Sequence, residues 1–228
     1  LLHSGENRIE YNDISRVMLR LGDGNAIYLS CMGINNHLTG NYIHEFPSDR
    51  SSPMRLDDNS TFTYFENNVC VGSKKGFSFK APAEVRNNFF INVEDASIGP
   101  KPFLRDDERV LYDSNLLYHA PADSEGEKRS ARVFWKSLKD KKGIYLNCLF
   151  YSDPAPSGVE PGAILIPSDY PDKAKVGLLF ANPLLDQAAM KQKIFRFLPG
   201  SPCEQLGIKP IDLSKVGSTV QDPPATAQ

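Results

Sequence analysis

No apolar run in this 228-residue chain approaches the roughly 20 residues that a membrane-spanning helix needs. A transmembrane segment of that kind is therefore excluded. Charge of one sign is also missing. Residues 1–115 carry 12 basic and 16 acidic side chains, residues 116–228 carry 14 and 12, and the net charge is −2. Neither half offers the basic stripe that tracks a phosphate backbone, so nucleic acid is not expected as a partner. Histidine is scarce: His3, His37, His44 and His119 are the only four. None stands in an H-E-x-x-H pattern, and none of the four cysteines forms a C-x-x-C pair, which leaves zinc-ribbon and thioredoxin-like chemistry without support. No G-x-S-x-G elbow is present. Gly72-Ser73-Lys74-Lys75-Gly76 lacks the order of a phosphate-binding loop and reads as a hairpin turn. No metal or other cofactor is expected.

What is abundant points to β-structure. The 17 prolines and 16 glycines punctuate the chain at short intervals, which suits short strands. Phe62-Thr63-Tyr64 and Phe77-Ser78-Phe79 alternate, as strands with one buried face do. An internal echo adds a second level. Arg16-Val17 leads through Asp23-Gly24 to Ile27-Tyr28-Leu29-Ser30-Cys31, and Arg132-Val133 leads through Asp140–Gly143 to Ile144-Tyr145-Leu146-Asn147-Cys148. Each copy reads as a hairpin, because Asp-Gly and a loop ending in Gly tolerate positive φ. The expected fold is mainly β: two tandem β-sandwich-like repeats, immunoglobulin-like in a loose sense, with one α-helix in the second half. Residues 1–105 would form the first repeat, 106–213 the second, and 214–228 a flexible tail. The helix is expected near 183–198, with Asn182 as N-cap, Pro183 at the first helical position, and apolar residues from Leu184 to Leu198.

Cys31, Cys70, Cys148 and Cys203 fall two to each half, which suggests one disulfide per half: Cys31 with Cys70 and Cys148 with Cys203. Four buried free thiols are the alternative. Paired cysteines imply an oxidising compartment, hence a secreted, periplasmic or cell-surface location. Leu1-Leu2-His3-Ser4-Gly5 fits a chain whose targeting segment has been removed. Asn59-Ser60-Thr61 is a formal glycosylation sequon.

For function, the missing catalytic signatures favour a non-catalytic recognition protein. Its expected partner is another protein or a surface macromolecule, bound through loops or a sheet edge. Tyr151 and Asp153, in the Pro-rich loop after the second hairpin, are the first candidate contacts; Tyr42 and His44 are the second. One alternative is an extracellular or periplasmic hydrolase whose carboxylates meet only in the fold. Asp57-Asp58, Glu94-Asp95 and Asp106-Asp107-Glu108 are the acidic groups available for that role. A structural subunit of a surface assembly is the other alternative, marked by an exposed apolar edge.

Overall fold

The computed structural model describes residues 5–20, 24–31, 33–48, 50–93, 108–120, 143–153, 155, 158–165 and 177–217. Within them the chain winds into a parallel β-solenoid. The first three turns each contain three strands. They are β1 (Arg8–Glu10), β2 (Asp13–Ser15) and β3 (Ile27–Leu29); β4 (Asn36–Thr39), β5 (Tyr42–His44) and β6 (Met54–Leu56); β7 (Thr63–Glu66), β8 (Val69–Val71) and β9 (Ser78–Phe79). The next three turns contribute pairs: β10 (Ala83–Arg86) with β11 (Phe89–Ile91), β12 (Val110–Asp113) with β13 (Leu116–His119), and β14 (Gly143–Leu146) with β15 (Cys148–Ser152). Every strand pairs in parallel with its counterpart one turn on. Arg8, His37, Tyr64, Glu84, Leu111 and Ile144 thereby form one register row. The first sheet runs β1-β4-β7-β10-β12-β14 and the third β3-β6-β9. The second runs from β2 through β5, β8, β11, β13 and β15 to β17 (Leu178–Phe180), where β16 (Ile164–Leu165) closes it as the one antiparallel member.

This architecture replaces the expected pair of antiparallel sandwiches. Alternation reports that one face of a strand is buried, but it does not report the direction of the neighbour. The Ile-Tyr-Leu echo is coincidental. Ile27–Leu29 is a strand of the third sheet, whereas Ile144–Leu146 lies in the first. The boundary placed near residue 105 falls outside the described residues, and strands from either side of it pair in both large sheets.

The expected helix at 183–198 is also corrected. Leu184 takes a positive φ of 52°, which no helix interior accepts. Leu185 bridges antiparallel to Phe197, and Leu198 donates its N–H to the Leu184 carbonyl. Only one helical turn remains between them, α1 (Gln187–Met190), capped by the Asp186 carboxylate on the N–H groups of Ala188 and Ala189. Ile194–Phe195 is a strand, β18, paired with β19 (Ile211–Asp212). Of the expected tail, residues 218–228 lie outside the described set, and Gly217 is tied to the Tyr11 carbonyl.

Two apolar clusters hold the molecule together. Inside the coil, Leu38, Phe65, Val85, Tyr112 and Tyr145 from the first sheet face Ile43, Cys70, Phe90 and Phe150 from the second. A fully buried side chain of this size contributes roughly 1.5–3 kcal/mol. The second cluster lies outside the coil. Val69, Phe89, Ile91, Leu116 and Leu149 on the outer face of the second sheet are covered by Leu185, Phe195, Ile208, Ile211 and Leu213. Phe89-Phe90-Ile91 is buried at every position because its sheet is covered on both faces.

A buried amide ladder fixes the corner between the first two sheets. Residues Tyr11, Gly40, Asn67, Asn87, Ser114 and Asn147 turn the corner with positive φ. Glycine suits the second of these because a Cβ at Gly40 would meet the Tyr11 ring at 2.6 Å. The residue that follows each is Asn12, Asn41, Asn68, Asn88, Asn115 and finally Cys148. Each asparagine from Asn12 to Asn88 donates its side-chain amide and its backbone N–H to the side-chain oxygen of the next, at 2.8–3.2 Å. Their amides also satisfy carbonyls one turn back, Asn88 on Phe65 and Asn115 on Val85. Buried polar groups are tolerated here because nearly every donor and acceptor is spoken for.

The structure holds all four cysteines as free thiols, so the expected Cys31–Cys70 and Cys148–Cys203 bonds are absent from it. Cys70 points into the coil against Ser73, Cys148 occupies the last rung of the ladder, and Cys203 belongs to the outer cluster. Burial pushes the thiols of Cys70 and Cys148 up to about 12 and that of Cys203 to about 11. These thiols remain protonated at neutral pH and are poor nucleophiles.

Candidate recognition surface

The two large sheets differ in what they present outward. The outer face of the second is apolar and carries the C-terminal segment. That of the first is polar and aromatic over β1, β4, β7 and β10 and aliphatic at Leu111, Ile144 and Leu146 on β12 and β14, and among the described residues no element packs across it. Its strands alternate buried with half-exposed positions in β4, β7, β12 and β14, the signature of a sheet with one face in water.

At the β1 end of this face, Glu6, Arg8, Asn35, His37 and Tyr64 line an open groove of about 500 Å³. Arg8, His37 and Tyr64 sit side by side on consecutive strands, and the His37 and Tyr64 rings stack at 4.6 Å with 13° between planes. Phe62 packs edge-on against Tyr64 at 5.0 Å. Glu6 and Asn35 occupy the preceding corner, both with positive φ, and their N–H groups are held by the carbonyls of Ile34 and Phe62. A short second amide pair anchors that corner from below. Asn7 donates to the Asn36 side-chain oxygen at 2.7 Å, and Asn36 donates to the Gly33 carbonyl. The groove's side chains thus stand on a rigid frame while their polar tips face solvent.

Further along, Glu66, Asn67, Arg86, Asn87, Asp113, Ser114, Gly207 and Lys209 line a smaller hollow of about 280 Å³. Arg8 is paired with Glu10 at 2.8 Å, and Arg86 is paired with Glu84. Each guanidinium thus has a carboxylate beside it, and carboxylates outnumber guanidinium groups along the face.

Of the residues expected from sequence, Tyr42 and His44 do meet. They lie on β5 with rings 4.6 Å apart, beside Asp13 of β2. His44 Nε2 is 2.8 Å from Asp13 Oδ1, and Lys193 donates to Asp13 Oδ2 at 2.5 Å while its Nζ lies 5.5 Å from the Tyr42 ring centre. Partial burial raises the Asp13 pKa, but hydrogen bonds from Lys193 and His44 outweigh it and the net shift is downward. The cluster fastens the C-terminal segment to the second sheet, and Tyr42 also packs on Phe195. Tyr151 and Asp153 lie far along the same sheet, on and just after β15, with β8, β11 and β13 intervening. Tyr151 stacks on Tyr118 at 5.5 Å and lies 6.4 Å from Phe180. Asp153 is exposed and its N–H is held by the His119 carbonyl.

The acidic pairs do not assemble a hydrolytic dyad among the described residues. Asp57 is 5% exposed and is gripped by Tyr28, by Arg55 at 3.0 Å and by Lys80 at 2.6 Å, and Lys80 also reaches Asp58 at 2.8 Å. Burial raises the Asp57 pKa, but the three donors together bring it down to about 2. A carboxyl so held stays ionised and cannot serve as a general acid near neutrality. Glu94, Asp95, Asp106 and Asp107 lie outside the described residues. Among those described, no three metal-ligating side chains converge, and no helix is long and apolar enough to cross a membrane.

Sequence reasoning missed Arg8 and Tyr64 because they are 56 residues apart and become neighbours only through the coil. Compared with known proteins, the chain matches no family model, no curated protein and no solved structure.

Proposed function

We propose that this chain is a non-catalytic recognition protein that binds a partner macromolecule across the outer face of its first sheet. The observation that carries the reading is the contrast between the two faces. Apolar side chains on the second sheet are covered by the protein's own C-terminal segment, whereas the first sheet keeps a polar, aromatic groove open on a rigid support. Preorganised side chains lose little entropy on binding, which is what a recognition surface requires. The groove is shallow and formed side by side on successive strands, unlike the enclosed pocket that buries most of a small substrate. Cys31, Cys70, Cys148 and Cys203 are free thiols, so no disulfide supports the expected export.

The test compares the wild-type chain with the Arg8→Ala/His37→Ala/Tyr64→Ala variant for ligand capture from the native milieu. Tyr151→Ala and Asp153→Ala serve as reference changes on the other face. The groove variant should lose capture while its urea midpoint stays close to wild type. Equal capture by the groove variant, or loss confined to the Tyr151 and Asp153 variants, would overturn the assignment.

A further inference from the structure

The chemistry of the groove narrows the class of ligand, an inference that rests on the recognition reading above. We infer that the groove over Arg8, His37 and Tyr64 takes a neutral polyhydroxylated chain, an extended oligosaccharide lying along the stacking direction of the first sheet.

Three observations lead there. The first is charge. Arg8 is already engaged by Glu10 and Arg86 by Glu84, while Glu6, Glu66 and Asp113 add further negative charge to the face. Five carboxylates (Glu6, Glu10, Glu66, Glu84 and Asp113) outnumber three cations (Arg8, Arg86 and Lys209) on this face, which disfavours nucleic acids and acidic polysaccharides. The second is the mixture of hydrogen-bonding types. Glu6 accepts, Arg8 donates, and Asn35, His37 and Tyr64 do both. A hydroxyl is at once donor and acceptor, so a chain of hydroxyls can satisfy every one of these groups. A cationic peptide would use the carboxylates and leave the guanidinium opposed.

The third observation is geometry. Arg8, His37 and Tyr64 recur on neighbouring parallel strands, which are spaced about 4.8 Å apart. The spacing is close to the advance of one sugar residue in an extended glycan, so successive rings can meet successive strands. The stacked His37 and Tyr64 rings, with Phe62 edge-on to Tyr64, form an aromatic patch beside the polar groups. A sugar ring presents the same combination of C–H surface and hydroxyl rim. The corner asparagines keep the row in register, because Asn7 and Asn36 fix the backbone from which Arg8 and His37 project.

The experiment uses the full chain and three sets of probes. These are neutral gluco-, manno-, xylo- and chito-oligosaccharides; the polyanions heparin and polygalacturonate; and the polycation oligolysine. Binding is measured by calorimetry at low and high salt for wild type, Tyr64→Ala, Tyr64→Phe and His37→Ala. Urea midpoints show that each variant is folded. The expected result is that a neutral oligosaccharide binds with little dependence on salt. Tyr64→Ala should weaken that binding about tenfold or more, and Tyr64→Phe should weaken it less. A charged polymer that binds with a steep salt dependence and is lost in Tyr64→Ala would refute the glycan assignment and leave the recognition face standing. Failure of every probe would also refute the glycan assignment. Oligosaccharide binding that survives both Tyr64→Ala and His37→Ala would overturn the groove itself.

Discussion

Replacing Asn88 with alanine tests the part of the fold on which the recognition face depends. The Asn88 side chain is fully buried in the middle of the amide ladder. Its oxygen accepts the backbone N–H of Asn68 at 3.0 Å and the Asn68 amide at 2.9 Å. Its amide donates to the Phe65 carbonyl at 2.8 Å, the Arg86 carbonyl at 2.9 Å and the Asn115 oxygen at 3.1 Å. Alanine strands two buried donors on Asn68 and removes a donor from Phe65. Each orphaned group costs about 1–3 kcal/mol, and water entering the amide-sized void recovers part of that. The expected loss is about 3–4 kcal/mol, read as a lower urea midpoint at an unchanged slope. Asn88→Leu separates the causes. It fills the space but leaves the same donors orphaned, so it should be as damaging as alanine. Asn12→Ala, at the exposed end of the ladder, should cost about 1 kcal/mol or less. A loss below about 1 kcal/mol for Asn88→Ala, or equal losses at Asn12 and Asn88, would show that the ladder does not carry stability as argued.

Cys148 occupies the ladder position of an asparagine, with its sulfur 3.7 Å from both the Asn115 amide and the Tyr112 carbonyl and 3.3 Å from the Leu146 carbonyl. Those are the partners an amide would take, so Cys148→Asn should stabilise by about 1 kcal/mol in urea denaturation; destabilisation would mean that packing outweighs the hydrogen bonds. Against the upward push of burial, the Lys80, Tyr28 and Arg55 donors hold the Asp57 pKa at about 2, below the ordinary aspartate value of 3.8, so its contribution is present above pH 4 and lost as pH falls toward 2. That contribution is about 2 kcal/mol, and Asp57→Asn should flatten the acid limb of the stability curve; an unchanged limb would refute the assignment. Thiol titration should find four free thiols in unfolded, unreduced protein, with Cys31 labelled first in the native state, since it alone is only partly buried. A count of two or none would mean that the cysteines pair.

Short strands and the lack of an apolar run long enough to cross a membrane as a helix were legible in the residues themselves. Alternation at Phe62-Thr63-Tyr64 and Phe77-Ser78-Phe79 located β7 and β9 but not their faces: Thr63 is buried between half-exposed Phe62 and Tyr64, and Phe77, Ser78 and Phe79 are all buried. A usable sign of the solenoid was also present. Asn12, Asn41, Asn68, Asn88 and Asn115 each precede a strand of the second sheet, and Cys148 opens the next one. The spacings of 29, 27, 20, 27 and 33 residues follow the register steps between turns. Their irregularity hid the repeat, and the tighter match between Ile27-Tyr28-Leu29 and Ile144-Tyr145-Leu146 drew attention to unrelated positions.

Strand direction, by contrast, is a property of pairs, and a three-residue strand has the same sequence pattern beside a parallel or an antiparallel neighbour. The apolar positions of Leu184–Leu198 fit a helical face, yet the segment folds back on itself because Leu185 and Phe195 are needed against Phe89 and Leu149. Local propensity yields when a nearby apolar face must be covered. The groove was beyond sequence reasoning for the same reason. Glu6, Arg8, Asn35, His37 and Tyr64 are ordinary residues in a string, and they become one surface only when parallel stacking places them on adjacent strands. The residues determined which side chains must leave water. The coil decided which of those remaining in water stand together.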